Sequence, residues 1–241
     1  MSREVAGIAV FFNSLAVHFV ASLFDMQLAQ QAATFFAYVA AVSGPIAIYF
    51  MHKIYRIEAR PYWNHWQVLS AFYGNMLTLG GLLTGLFFVP YLLFNAQPVN
   101  ELLQLVALLM AAGLTLEGIG HYFHAKDLNV EGHEGSVSYY EQVTTFGKTY
   151  NLRNVLLVVN LLSIVALMFV ETSTVFTLIA WSAITLSVIS IAVVSRAIFY
   201  VMVVPTTMPG AFFWKNKGFE NHARETGLAN VVQAGVIADI H

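Results

Sequence analysis

All eleven Lys and Arg residues lie on one side of the membrane that this chain's own hydropathy draws. Six long apolar runs stand out, at roughly 5–24, 33–52, 68–94, 101–122, 152–170 and 175–204. Each is long enough to cross a ~30 Å hydrocarbon layer as a helix of about 20 residues. The first, third and fifth connections, around 25–32, 95–100 and 171–174, contain no Lys or Arg. The other side holds Arg3, then Lys53, Arg56 and Arg60, then Lys126, Lys148 and Arg153, then Arg196, Lys215, Lys217 and Arg224. Basic residues are retained in the cytoplasm. The expected fold is therefore an all-α integral membrane protein, a six-helix transmembrane bundle with both termini cytoplasmic.

Composition agrees. The chain is 58% apolar and 10% charged, with a mean hydropathy of +0.68, whereas soluble domains carry about 25% charged residues. Barrel strands would alternate every other residue, and these runs are continuous. The net charge of −2 does not suggest nucleic acid binding. With no cysteine, the chain forms no disulfide and ligates no iron–sulfur cluster through its own thiolates. The first apolar run is full length with no small-residue cleavage site after it, so it reads as a span rather than a removed signal.

One transmembrane domain is expected over 1–204, followed by an interfacial tail over 205–241 that includes a re-entry after Pro205. Segment 53–67 mixes basic residues with Tyr55, Tyr62, Trp63 and Trp66, the composition of an interfacial aromatic belt. Segment 123–150 is polar and reads as a loop with room for a short interfacial helix. Pro45 after Gly44 marks a kink in the second helix. Gly81 and Gly85 are spaced for close packing of the third helix.

Ionisable groups in the apolar layer are costly, and each is a functional candidate. Alternating helix directions set their depth. His52 ends the second helix. Tyr73 and Asn75 lie one to two turns into the third. Glu117, His121 and His124 recur at i, i+4 and i+7 on one face of the fourth. Asn151, Arg153 and Asn154 open the fifth, and Ser195, Arg196 and Tyr200 lie near the inner end of the sixth. Five helices thus bring polar groups to the inner leaflet. Plainer roles compete with functional ones. Arg153 and Arg196 have stems long enough to snorkel, His52 is placed like an interfacial residue, and His124 is expected to face water. Asn75 is placed to bond a neighbouring helix, and His18, with Asn13 on the first helix, reads as a hydrogen-bonded interior histidine.

A quinone suits such a layer. Its carbonyl oxygens need donors such as His, Arg, Asn or Tyr, its oxidation releases two protons, and its tail needs a cleft open to lipid. Two other classes use similar residues. A b-type cytochrome needs two histidines facing each other at matched depth; His18 and His52 differ in depth, and His52 and His121 match only near the surface. A small transporter or assembly factor is the other, and no internal repeat relates 1–100 to 101–204.

Three stretches carry a resemblance: MHKIYRIEARPYWNHWQVLSAFYGNM at 51–76, YNLRNVLLV at 150–158 and SRAIFYVMVVPTTMPGAFF at 195–213. Through them the chain resembles the membrane anchor subunits of dimethyl sulfoxide reductase-type molybdoenzymes, within the broader NrfD-like group. In that family the second helix ends in a His followed by a loop with an Arg, the penultimate helix opens with an Arg, and the last carries Gly/Ser-Arg-x-x-Phe-Tyr. The matching positions are His52, Arg60, Arg153 and Ser195-Arg196 with Phe199-Tyr200. The resemblance implies a haem-free inner-membrane anchor in a prokaryote. Such an anchor oxidises menaquinol and passes electrons to an iron–sulfur subunit, which feeds a molybdopterin catalytic subunit. It implies quinol binding by His52, with Arg60, Arg153, Arg196 and Tyr200 at the matching motif positions. The polar layer itself adds Tyr73 and Asn75 to the quinone pocket, and Glu117 and His121 as a proton relay. Three features depart from the family. Six spans replace eight, Asn75 stands where a helix-3 Glu is expected, and charge sorting places His52 in the cytoplasmic rather than the periplasmic leaflet.

Overall fold

A computed structural model describes residues 3–130, 135–170, 174–203 and 225. The described residues are helical, with no strand: α1 (Arg3–Ser22), α2 (Gln27–Ile54), α3 (Gln67–Phe94), α4 (Asn100–Leu128), α5 (Ser136–Val143), α6 (Gly147–Phe169) and α7 (Thr174–Val201). All but α5 are long and apolar enough to cross a membrane. The expected interfacial tail and its re-entry after Pro205 fall outside the described residues, Glu225 apart. Each spanning helix follows an apolar run, and several overshoot it. α2 begins at Gln27, α4 continues to Leu128 and α6 begins at Gly147. Hydropathy ends where polar side chains begin, but backbone hydrogen bonding continues to the surface. Arg153 consequently lies in the second turn of α6 rather than at its opening.

The chain divides into two compact units, Met1–Arg56 and Ile57–His241. In the first, α1 and α2 form a hairpin. A Cβ on Gly7 would meet the Ala47 backbone at 3.0 Å, and Gly44 faces the Phe11 ring. α2 runs through Pro45 to Ile54 as one helix. His18 Nδ1 donates to the Ala33 carbonyl at 2.9 Å, so this histidine is hydrogen-bonded as expected. Asn13 bonds within its own helix, to the Ala9 carbonyl.

The second unit is built on α3, α4, α6 and α7. Leu82, Val106, Met110, Leu114, Ile164, Val188 and Ile191 form its apolar centre. A tight turn joins α3 to α4. Ala96 N–H bonds the Leu93 carbonyl and Gln97 N–H the Leu92 carbonyl, while Ala96 takes a φ of 52°. This is the Schellman termination, with alanine in the left-handed position that usually falls to glycine. α3 and α4 approach most closely away from the expected Gly81–Gly85 pair. A Cβ on Gly81 would stand 3.2 Å from Met110 Cγ and one on Gly85 3.6 Å from Val106. A Cβ on Gly113 would lie 2.5 Å from the Gly74 carbonyl oxygen, and one on Gly120 would collide with Ser70. Spacing within α3 identifies small residues but not the depth at which a partner's glycine meets them.

Candidate functional site

The close α3–α4 crossing brings two polar residues together. Asn75 lies one residue beyond Gly74, and Glu117 one turn beyond Gly113. The Asn75 amide donates both to the Ala71 carbonyl and to Glu117 Oε1. Glu117 is 3% exposed, and the positive charges of Arg153 and Arg196 act on it.

Arg153 is itself 3% exposed and does not snorkel. Its Nε and Nη2 donate to Asn154 Oδ1 at 3.1 and 2.7 Å, and its guanidinium lies 5.0 Å from the Tyr150 ring centre. Arg196 is also turned inward, its Cζ 4.5 Å from the Phe72 ring centre on α3 and 5.9 Å from that of Phe199. Aromatic faces hold both cations within the unit.

One turn after Glu117, His121 Nδ1 lies 3.2 Å from Gln67 Nε2 at the start of α3. His121 Nε2 and Gln67 Oε1 are enclosed polar atoms without a partner, as are Thr78 Oγ1 and Ser195 Oγ. Another turn on, His124 is buried rather than facing water. Its Nε2 donates to the Tyr62 carbonyl at 2.9 Å, and its ring packs edge-on against Tyr62, 4.7 Å away.

Segment 57–66 closes this end of the unit, with Tyr62 and Trp63 turned inward instead of lying along lipid as a belt. Tyr62 is 3% exposed and its hydroxyl donates to Gln142 Oε1 of α5 at 2.7 Å. Burial pushes the Tyr62 phenol well above its ordinary range, against a weaker opposing effect of Arg153. Trp63 stacks on Phe199 and donates its indole N–H to the Phe199 carbonyl at 2.8 Å. Arg60 covers the Trp63 ring at 4.6 Å. His65 Nε2 bonds Asp127 Oδ2 at 2.9 Å, and its Nδ1 accepts from the Gln67 backbone N–H at 3.0 Å. Trp66 is the member of this group that remains exposed.

The second unit therefore gathers Asn75, Glu117, His121, Arg153 and Arg196 at one end, with Arg60 in the closing segment. Tyr73 is half-buried on α3. Tyr200 is 55% exposed, its ring edge-on to Trp63 and Phe199, so it stands at the rim rather than in the interior. Gln67, Tyr62, Gln142 and the His65–Asp127 pair were not expected here. Their partners come from distant parts of the chain, and the only sequence signal was the density of polar and aromatic residues in 62–67. His52 belongs to the first unit. It is 3% exposed, its Nδ1 bonded to the Tyr49 carbonyl and its ring 4.9 Å from the Tyr49 ring.

The model of the family described as DMSO reductase anchor subunit (DmsC) matches residues 1–202. The chain belongs to this family. It is a multi-pass membrane protein, a membrane anchor of the DMSO reductase type. No curated protein and no solved structure matches it. The family match ends at the close of α7 and covers both units. It takes in every candidate residue, from His52 in the anchor's first hairpin to Tyr200 at the end of its last helix.

Proposed function

We propose that this anchor oxidises a quinol, menaquinol by the family resemblance, and delivers its electrons to an iron–sulfur subunit that feeds a molybdopterin catalytic subunit. The observation that carries the proposal is the Glu117 carboxylate, buried in a spanning helix with the Asn75 amide on one oxygen and His121 one turn away. A carboxylate at that depth is costly unless it has work to do. Quinol oxidation needs proton acceptors inside the apolar layer, and Glu117 and His121 are of that chemistry. Asn75 supports the idea that Glu117 supplies the carboxylate the family carries on the preceding helix.

The enclosed, unpartnered atoms of His121, Gln67 and Ser195 fit a head group with oxygens to bind. Arg153 and Arg196 balance charge as the hydroxyls deprotonate, and Arg60, Tyr73 and Tyr200 are further donors on this unit. The family resemblance also implies quinone binding by His52, in the first unit. The chain has no cysteine, so the electrons pass to a cluster held by a partner.

The test is purification of the tagged chain from native membranes, with mass spectrometry, an iron assay and binding of a short-chain prenyl naphthoquinone. An iron–sulfur protein and a molybdenum protein should accompany it, and the naphthoquinone should bind. A chain that purifies alone and binds no naphthoquinone refutes the proposal.

A further inference from the structure

Gln67 opens α3 and is 4% exposed, its side chain lying against α4 beside Gly120. One end of the amide meets His121 Nδ1 at 3.2 Å. The other end, Oε1, and the far ring nitrogen, His121 Nε2, are enclosed without partners. Buried polar atoms are rarely left so. Both here belong to one hydrogen-bonded couple, and the couple has two self-consistent arrangements. When Gln67 Nε2 donates to Nδ1, the neutral ring carries its proton on Nε2, which is then an N–H donor. When the amide is turned by half a revolution, Nδ1–H donates to Oε1, and Nε2 offers a lone pair instead. The oxygen and NH2 of an amide are nearly the same size, so the turn needs no extra room. A carboxylate or backbone carbonyl in place of Gln67 would permit only the second arrangement.

We propose that Gln67 is a positioning residue for His121, the orientation of its amide deciding whether His121 Nε2 meets a quinol hydroxyl as a base or a quinone carbonyl as a donor. This rests on the quinol-oxidation reading. With Nδ1–H on Oε1, a quinol O–H bond breaks and its proton forms N–H at His121 Nε2. The second hydroxyl proton passes to Glu117, and the two electrons leave for the iron–sulfur subunit. The imidazolium then loses its Nδ1 proton, and Glu117 the proton it took, both to water. The amide turns to fill Nδ1, and Nε2–H stays on the quinone oxygen. The charged and titratable groups around the ring are Glu117 and His124 on α4 and Arg153 on α6. His65 is reached through the Gln67 backbone.

The test is ¹⁵N NMR of the histidine-labelled full chain in lipid nanodiscs, with His121 assigned by His121→Asn. The probe is a short-chain prenyl naphthoquinone, oxidised or reduced with dithionite. His121 should be protonated at Nε2 with the naphthoquinone and at Nδ1 with the naphthoquinol. In Gln67→Glu it should be protonated at Nδ1 with both. In the intact complex, Gln67→Met should lower kcat for quinol oxidation roughly 10-fold or more with little change in KM, and Gln67→Glu should restore part of it. Probe-dependent shifts around His121 with one unchanging tautomer in wild type and Gln67→Glu overturn the role of Gln67 alone. No shift with either probe overturns the quinol reading beneath it.

Discussion

Gly113→Ala tests the α3–α4 crossing on which the Asn75–Glu117 contact depends. The new Cβ would lie 2.5 Å from the Gly74 carbonyl oxygen and 2.8 Å from Thr78 N, where ordinary contact begins at 3.4 Å. The Thr78 hydroxyl, nearer still, can rotate away, but these two atoms are backbone, so the helices must part locally by about 0.9 Å, the 3.4 Å contact less 2.5 Å. Overpacking of this kind costs about 1–3 kcal/mol. Gly80→Ala is the internal control, because its Cβ would have nothing within 4 Å. Alanine is favoured over glycine in a helix interior by roughly 0.5–1 kcal/mol, so this variant should be neutral or stabilised. Thermal unfolding of both variants in one detergent, beside wild type, measures the difference. Gly113→Ala should also lose quinol oxidation, since Asn75 and Glu117 flank the displaced contact. Equal stability of the two variants would refute the close crossing.

His52→Ala should abolish quinol-dependent reduction by the complex while dye-dependent activity of the soluble subunits survives. Loss of one hydrogen bond to the head group, about 1–3 kcal/mol, predicts roughly a 5- to 150-fold weaker affinity, and Glu117→Gln should give a milder defect; wild-type quinol oxidation in His52→Ala moves the site away from it. Tyr62→Phe should cost about 1 kcal/mol at neutral pH through its lost bond to Gln142. The Tyr62 phenol is raised in the folded state, so wild-type stability should fall as pH rises above about 10, where the unfolded tyrosine ionises, and chemical denaturation should show this component missing from Tyr62→Phe. Ala96→Gly should stabilise the α3–α4 turn by about 1 kcal/mol, by removing a side chain from a left-handed residue, as read by thermal unfolding. Reporter fusions at 28, 97 and 172 should read periplasmic and those at 58, 135 and 225 cytoplasmic; a cytoplasmic reading at 97 contradicts the charge-sorted topology.

The spans were legible because one property, continuous apolar character over the width of a bilayer, decides them. Glu117 was legible for the same reason, as a carboxylate more than a turn inside an apolar run. Tyr62, Trp63 and His124 were misjudged because a belt residue and a residue that seals the end of a bundle have the same composition and the same place relative to the helix end. Only the partner distinguishes them. Tyr62 finds Gln142 and Trp63 finds Phe199, 80 and 136 residues away, pairings that no local pattern encodes. Gln67 was passed over because a polar residue opening a helix is ordinary. Its significance comes from His121 on the neighbouring helix. An apolar run that begins at 152 leaves Arg153 at a helix end, where its stem can snorkel. The extra turn from Gly147 carries it inward.

One polar contact, between Asn160 on α6 and Ser187 on α7, lies within the apolar centre of the second unit. Asn160, 3% exposed, donates to the Leu156 carbonyl of its own helix and to Ser187 Oγ on α7 at 2.6 Å. Around it, α6 and α7 meet through Leu157, Ile164, Ile184, Val188 and Ile191, a surface that one-turn sliding would alter little. Such a slip, about 5.4 Å, would strand an amide and a hydroxyl in hydrocarbon. The clasp thus acts as a vernier for the hairpin: it couples the insertion depth of α7 to that of α6, and so sets the height at which Arg196 and Arg153 face each other's neighbourhood. An apolar substitution such as Asn160→Leu would leave the helices paired yet able to settle at more than one depth.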